Sequence, residues 1–95
     1  MTKEIILNFL KTHRKVLAQN FGVKKIGLFG SYARDEANSE SDIDLVIETE
    51  KKDFFIREDL KIYLEDAFKM SVDIGYLSSF REFYKTKIEK EIIYV

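Results

Sequence analysis

The sequence predicts an α/β fold in which helices pack on a small mixed sheet of three to four strands. Short apolar runs, bounded by polar residues, alternate along the chain with longer stretches in which apolar residues recur at helical spacing. Proline is absent, and no low-complexity linker divides the 95 residues. We therefore expect one domain that spans residues 1–95.

The longer stretches predict three helices. Apolar side chains recur at helical spacing over residues 2–19, and Gly22 provides a stop signal. A second helical pattern covers residues 53–69. A third, with Ser78 or Ser79 as its N-cap, runs to about residue 90.

The short apolar runs predict three strands, at residues 24–29, 42–48 and 71–77. Between the first two strands, residues 32–37 favour a helical turn or short helix and residues 38–41 favour a polar loop. The tail, residues 92–95, is apolar. It is compatible with the end of the last helix or with an edge strand.

The composition excludes several classes of site. Cysteine is absent, which excludes disulfides and thiolate metal sites, and the single histidine, His13, excludes a multi-histidine zinc site. The 16 basic and 17 acidic residues give a net charge of −1, which argues against binding to duplex nucleic acid. No apolar stretch reaches the ~18–20 residues of a membrane span, so we expect a soluble, cytoplasmic protein with no membrane partner.

Two aspartates open the second predicted strand. Because side chains alternate along a strand, Asp42 and Asp44 share one face, whereas Ile43 and Leu45 point to the other. The two aspartate Cα atoms are about 6.6 Å apart at ~3.3 Å per residue, close enough for the carboxylates to converge on one metal ion or to bridge two. Carboxylates beside a core need a compensating partner, and Mg²⁺ is the simplest one because it prefers carboxylate and phosphate oxygens.

A third aspartate occupies a matching position in the third predicted strand, where Asp73 stands between Val72 and Ile74. If this strand lies beside the second, Asp73 joins Asp42 and Asp44 on one face, because neighbouring strands are about 4.8 Å apart. Three acids on one sheet face are typical of two-metal phosphoryl or nucleotidyl transfer. One metal then holds a triphosphate, and the other lowers the pKa of the attacking hydroxyl.

A Gly-Ser turn follows the first predicted strand. Gly30 lets the backbone approach an anion closely, and exposed N–H groups together with the Ser31 hydroxyl can donate to the phosphate oxygens of a nucleoside triphosphate. Arg34, one short turn later, can either reach a phosphate or hold the loop through a carboxylate. Both interpretations of Arg34 remain open.

These residues resemble the signature of the minimal nucleotidyltransferases of the DNA polymerase beta superfamily. That signature is G-S-x-A-R-G-E-A, a short polar loop, and S-D-[IVL]-D-[LF]. This chain has Gly-Ser-Tyr-Ala-Arg at residues 30–34 and Ser-Asp-Ile-Asp-Leu at residues 41–45, and the order of elements is similar over nearly its whole length. Asp35 stands where the pattern has Gly. Asp tolerates a positive φ better than most residues, but it adds a negative charge near the phosphate site.

The resemblance implies a nucleotidyltransferase fold in which Asp42, Asp44 and Asp73 ligate two Mg²⁺ ions. It implies also that ATP, or less typically another nucleoside triphosphate, binds at Gly30 and Ser31. Small members of this family are often antitoxins that pair with a HEPN-domain ribonuclease, and some of them transfer AMP from ATP to a tyrosine of that toxin. The resemblance therefore implies an adenylyltransferase antitoxin with a HEPN-domain partner, in a homo- or hetero-oligomer.

Two alternatives to a protein-modifying enzyme remain open. A non-catalytic module would keep the fold and neutralise its partner by forming a complex. An Asp44→Asn variant of such a module would still neutralise the partner, whereas the same variant of an enzyme would not. A nucleotidyltransferase of the kind that modifies aminoglycosides is less compatible with this chain, because those proteins carry additional substrate-binding structure.

Adjacent aromatic residues predict an exposed aromatic surface. The pairs Phe54-Phe55 and Phe83-Tyr84 cannot both be fully buried on single amphipathic helix faces. Exposed aromatic side chains suggest an interface with another protein.

Overall fold

Helices and strands alternate along most of the chain. The computed structural model describes residues 1–80 and 82–95, and for Phe83 it describes the backbone alone. The helices are α1 (Lys3–Thr12), α2 (Arg14–Phe21), α3 (Gly30–Ala33), α4 (Phe54–Phe68) and α5 (Glu82–Glu89), with a 3-10 helix η1 (Leu77–Ser79). The strands are β1 (Val23–Phe29), β2 (Ile43–Thr49), β3 (Val72–Tyr76) and β4 (Ile93–Tyr94).

The four strands form one mixed sheet in the order β3-β2-β1-β4. β1 is antiparallel to both β2 and β4, whereas β2 and β3 are parallel. A parallel pair needs a crossover connection, and α4 provides it. The mixed sheet of three to four strands that the sequence predicts is therefore confirmed.

One face of the sheet packs against helices to form the core. Leu28 of β1 and Ile43 and Leu45 of β2 are fully buried there, together with Leu10 of α1 and Leu64 of α4. Side chains alternate along a strand, so Asp44 and Asp73 lie on the opposite face. The alternation predicted from the sequence thus keeps the carboxylates out of the helix-covered core.

Local sequence signals fix the ends of several helices. Asp53 caps α4, because its Oδ1 accepts hydrogen bonds from the N–H groups of Phe55 (2.9 Å) and Ile56 (3.2 Å). Thr2 caps α1 in the same way through one hydrogen bond. Gly22 ends α2 in the left-handed region, with φ of 65°.

The prediction of one continuous helix over residues 2–19 is wrong, because the helix is divided at His13. This residue has φ of −103° and ψ of 10°, outside the helical region. Its ring stacks on the ring of Phe9 with centroids 3.9 Å apart, and Nδ1 lies 2.8 Å from the Phe9 carbonyl oxygen. We attribute the break to these contacts of the His13 ring, which apolar spacing does not encode.

The predicted N-cap of the last helix is also wrong. Ser78 and Ser79 lie in η1, and the described part of α5 is Glu82–Glu89. Phe80 accounts for the difference, because it is extended (φ −74°, ψ 140°) and its ring meets the Phe29 ring edge-on with centroids 5.7 Å apart. This contact covers part of the sheet face opposite the helical core and holds the chain extended before α5.

The tail forms an edge strand, which is one of the two alternatives that the sequence left open. Tyr94 and Ile93 of β4 pair with Gly27 and Leu28 of β1. The N–H of Val95 also donates to a carbonyl oxygen of β1, at 3.1 Å. The tail therefore extends the sheet beyond β1 rather than continuing α5.

The predicted aromatic surface is present at the start of α4. Phe54 and Phe55 expose 59% and 77% of their area, and Tyr84 of α5 exposes 55%. The side chain of Phe83 lies outside the described part of the chain. No helix within the described ranges has both the length and the apolar character needed to cross a bilayer.

Candidate active site

The β-sheet register brings two of the three predicted aspartates side by side, and the third lies next to them in the chain. Asp44 pairs with Phe29 of β1 on one side and with Asp73 of β3 on the other. Asp42 lies immediately before β2, two residues from Asp44, and, after burial and the charge of Asp73, its charge helps to raise the pKa of Asp44. The prediction that the third strand places Asp73 beside Asp44 is confirmed at the level of the backbone.

The environment of Asp44 opposes its negative charge. Asp44 is half-buried, whereas Asp42 and Asp73 are exposed. Burial, followed by the neighbouring charges of Asp73 and Asp42, raises the pKa of Asp44 to about 6, and the charge of Arg34 partly opposes this shift. The acidic cluster thus carries more repulsion than the protein alone compensates.

The donor set of this cluster fits Mg²⁺. All donors are carboxylate oxygens, the ligands that Mg²⁺ prefers, and a divalent cation would offset both the burial and the carboxylate repulsion that raise the Asp44 pKa. Among residues 1–80 and 82–95, no group of three acidic or histidine side chains is already arranged to hold an ion. Metal ligation by Asp42, Asp44 and Asp73 therefore stays a prediction, and it requires their side chains to converge.

Gly30 directly follows β1 and lies close to Asp44, which belongs to the row of aspartates Asp42, Asp44 and Asp73. Its φ is 77°, in the region that favours glycine. A Cβ built on Gly30 would overlap Oδ2 of Asp44 and lie 3.0 Å from Asp44 Cγ. Only glycine therefore lets the turn adopt its conformation and pass this close to Asp44.

Arg34 holds two carboxylates on its guanidinium group. Its Nε donates to Oε2 of Glu36 at 3.0 Å, and its Nη1 donates to Oε1 and Oε2 of Glu91 at 3.2 and 3.1 Å. The N–H of Gly30 donates to Oε1 of Glu91, also at 3.0 Å. The structure therefore supports the interpretation that Arg34 braces the loop, and it leaves phosphate contact by Arg34 possible.

Glu91 is the site residue that the sequence analysis missed. It lies between α5 and β4, far from the Gly-Ser motif along the chain. The apolar tail was the feature of the sequence that could have identified Glu91. When the tail pairs with β1 as β4, the same register places Glu91 opposite Gly30. That pairing is a tertiary contact, and the apolar tail alone was equally compatible with a helix.

An open cleft of about 360 Å³ lies beside these residues. Its lining includes Gly30, Ser31, Arg34, Asp44 and Glu91. Tyr84, Lys87 and Ile88 of α5 also line it. The cleft therefore joins the predicted phosphate-binding turn to Asp44.

The remaining aspartates and the second groove lie outside that cleft. Asp73 borders a separate recess with Arg57 and Lys61 of α4. A larger groove, of about 750 Å³, lies at the opposite end of the sheet between α2 and α4. Of the three predicted aspartates, Asp44 therefore borders the cleft that contains Gly30, Ser31 and Arg34, whereas Asp42 and Asp73 do not line it.

Asp35, the departure from the family pattern, has a local explanation. Its φ is 59°, so it occupies the left-handed region that glycine favours. Its Oδ2 lies 2.9 Å from Nζ of Lys3, and this hydrogen bond raises the Lys3 pKa. The added negative charge thus pairs with α1 instead of facing the cleft.

Comparisons with known proteins agree with this geometry. The family model described as "nucleotidyltransferase domain" matches residues 10–95. The protein adenylyltransferase MntA of Thermococcus cleftensis is 35% identical over 96 aligned residues, which cover 100% of this chain and 97% of the relative. The similarity thus spans the helices, the sheet and the candidate site together.

Two solved structures share the fold. One, assigned to a minimal nucleotidyltransferase, is 26% identical with a TM-score of 0.83, and the match covers 98% of this chain and 95% of that one. The other is a toxin–antitoxin structure with AMP-PNP, 26% identical with a TM-score of 0.74, and here the match covers 88% and 69%. Because the family model and a relative of matching length both cover most of the sequence, this chain belongs to the nucleotidyltransferase domain family.

Proposed function

We propose that this single domain transfers AMP from ATP to a hydroxyl group of a HEPN-domain toxin and so acts as an antitoxin. The observation that carries the proposal is the cleft in which Gly30, Ser31 and Arg34 meet Asp44, with Asp73 paired beside it. ATP as the substrate places this activity in the cytoplasm. A phosphate-binding turn next to an acidic row is what nucleotidyl transfer requires.

The residues of the cleft have distinct roles in the proposed reaction. The Ser31 hydroxyl and neighbouring backbone N–H groups donate to oxygens of the β- and γ-phosphates, and Arg34 offsets their charge. Asp42, Asp44 and Asp73 would hold two Mg²⁺ ions. When bound, these ions neutralise the triphosphate and lower the pKa of the acceptor hydroxyl.

The proposed transfer balances as a substitution at phosphorus. The acceptor oxygen forms a bond to the α-phosphorus, the bond between that phosphorus and the bridging oxygen breaks, and pyrophosphate leaves. A carboxylate oxygen of Asp73 takes the proton of the acceptor hydroxyl, because Asp73 is the most exposed strand-borne acid of the row and is accessible to a partner. Asp44, half-buried beside Gly30, stays with the nucleotide.

Two comparisons support a protein as the acceptor. The relative from Thermococcus cleftensis is a protein adenylyltransferase, and it matches this chain over its full length. A solved relative of the fold is a toxin–antitoxin structure with AMP-PNP, an ATP analogue. The cleft of this chain is open to solvent, which leaves room for a partner protein to present its hydroxyl group.

The exposed aromatic side chains favour a second candidate function. Phe54 and Phe55 are among the most exposed large apolar residues described, and such side chains are enriched in protein interfaces. A non-catalytic module would bind its toxin through such a surface and neutralise it by occlusion. The two candidates differ in whether the aspartates are needed.

Transfer of label from α-³²P-ATP tests the proposal. The chain is incubated with Mg²⁺ and the toxin product of the neighbouring gene, in parallel with Asp44→Asn and with Asp59→Asn as a matched control on the exposed surface of α4. We expect label on the toxin with the wild type and with Asp59→Asn, and a loss of at least about 100-fold with Asp44→Asn.

Two outcomes would contradict the enzyme. Label that persists unchanged in Asp44→Asn would exclude the aspartate row from the chemistry. The absence of label on any protein, with the toxin still neutralised by both forms, would leave the binding module as the function.

A further inference from the structure

Two carboxylates bind the Arg34 guanidinium group, and neither of them contacts its Nη2 atom. The group has five N–H donors in a fixed planar arrangement. Nε is bonded to Glu36 and Nη1 to Glu91, whereas Nη2 donates to none of the residues that the structure describes. Two carboxylates thus orient the guanidinium while one of its edges stays available to a further acceptor.

Glu91 joins Arg34 to the Gly-Ser turn through one carboxylate. Its Oε1 accepts from both the Gly30 N–H and Arg34 Nη1, and its Oε2 accepts a second bond from Nη1. Only 23% of its side chain is exposed. Charge-assisted hydrogen bonds of this kind are about twice as strong as neutral ones, so this contact holds the turn and the arginine in one fixed relation.

The fold itself places Glu91 there. β4 pairs with β1 through Gly27–Tyr94 and Leu28–Ile93, and the next residues in this register bring Glu91 opposite Gly30. The N–H of Glu91 donates to the carbonyl oxygen of Ile88 at 3.0 Å, which ties the residue to the end of α5. Two elements therefore anchor Glu91 on the wall of the cleft.

We propose that Glu91 is a positioning residue for the triphosphate, which extends and rests on the proposed function. Its carboxylate fixes the Gly30 amide and the Arg34 guanidinium, so that Ser31 and Arg34 Nη2 are presented together to the β- and γ-phosphates. Glu91 itself does not touch the reacting atoms. It acts through Arg34 and through the turn.

Competition between Glu91 and a phosphate group is the main alternative, and burial argues against it. A phosphate that displaced Glu91 would remove all three of its hydrogen bonds and leave a largely buried carboxylate beside Asp44. An unpaired buried charge is costly. Retention of Glu91, with phosphate binding at Nη2 and Ser31, keeps all three hydrogen bonds of the Glu91 carboxylate.

Isothermal titration calorimetry with Mg²⁺ and two ligands tests this role. AMP-PNP carries the β- and γ-phosphates, and AMP does not. We expect Glu91→Gln to weaken AMP-PNP binding about tenfold or more, as loss of a charged hydrogen-bond partner does, with AMP affinity changed less than about threefold. Glu89→Gln, which removes the same charge from the exposed last turn of α5, leaves both affinities unchanged.

The comparison of ligands separates positioning from a structural role. Equal losses for AMP-PNP and AMP, or no loss for either, would show that Glu91 only joins the tail to β1. Tighter AMP-PNP binding by Glu91→Gln would show that the carboxylate competes with phosphate. Either result overturns the inference and leaves the proposed function intact.

Two further measurements complete the test. If the wild type binds no AMP-PNP, the proposed function fails, and this inference fails with it.

If circular dichroism shows that Glu91→Gln does not fold, the Glu91→Asp variant tests the inference instead, because it keeps the charge but shortens the side chain by one methylene group. We expect the same selective loss of AMP-PNP affinity from that variant, and unchanged affinity would overturn the inference.

Discussion

Gly30 is constrained both by its positive φ and by its close approach to Asp44. Gly30→Ala would place a Cβ on Asp44 at a φ of 77°, whereas Gly22→Ala at a φ of 65° meets no atom within 4 Å. We expect Gly22→Ala to lower the free energy of unfolding by about 1 kcal/mol, the usual cost of a left-handed alanine. Gly30→Ala should lose about 1–3 kcal/mol more through overlap, as measured by urea unfolding. Equal losses would contradict the close approach to Asp44.

The Asp44 carboxyl makes stability depend on pH. Its pKa is about 6 in the folded chain and 3.8 as the ordinary value. As the pH falls from about 6 towards 4, the folded state takes up the proton before the unfolded state does, so folding is favoured at the lower pH. Relative to Asp44→Asn, we expect the wild type to gain about 1 kcal/mol over this range, after allowance for solvent screening of a half-exposed group.

Urea unfolding of both proteins between pH 4 and 7.5, in EDTA, measures this difference. Other carboxylates also contribute to the pH dependence of the free energy of unfolding in both proteins. The difference between the wild type and Asp44→Asn removes that shared contribution. A difference between the two proteins that stays constant with pH would show that Asp44 titrates normally. A difference that grows as the pH rises would reverse the sign of the argument.

Among the helices and strands, the N-cap of α4 offers the clearest test of how a single side chain stabilises an element. Asp53→Ala leaves two backbone N–H groups without their acceptor, so we expect a loss of about 1 kcal/mol in the free energy of unfolding. Asp53→Asn keeps an acceptor and should lose little, because asparagine is an equally good N-cap. Similar losses for both variants in urea unfolding would point to the charge of Asp53, and not its cap, as the stabilising feature.

The elements that the sequence predicted well are those with a local signal. Short apolar runs identified β1, β2 and β3, and the Asp-x-Asp spacing predicted that Asp42 and Asp44 share one face. The break at His13 was missed because it depends on stacking with Phe9, one helical turn earlier, which apolar spacing does not encode. The extended Phe80 was missed because it depends on a ring contact with Phe29 of β1, in another part of the fold. Glu91 was missed for the same reason, since only the β1–β4 register brings it to Gly30.

Across the whole molecule, the acidic row and the Gly-Ser turn together should couple ligand binding to stability. Ligand at about 100 times its dissociation constant adds about 2.7 kcal/mol to the free energy of unfolding. In a chain of 95 residues, 1 kcal/mol moves the melting temperature by about 4–8 °C, so Mg²⁺ with AMP-PNP should raise it by roughly 10–20 °C. Differential scanning fluorimetry measures this shift.

The design of that experiment separates the metal from the nucleotide. With AMP-PNP in EDTA we expect a shift of only a few degrees, because three uncompensated aspartates oppose a triphosphate at the same sheet edge. Asp44→Asn should lose most of the shift produced by Mg²⁺ with AMP-PNP, and Asp59→Asn should keep it. A full shift in EDTA would mean that the nucleotide binds without a cation, and the aspartate row would then need another explanation than metal ligation.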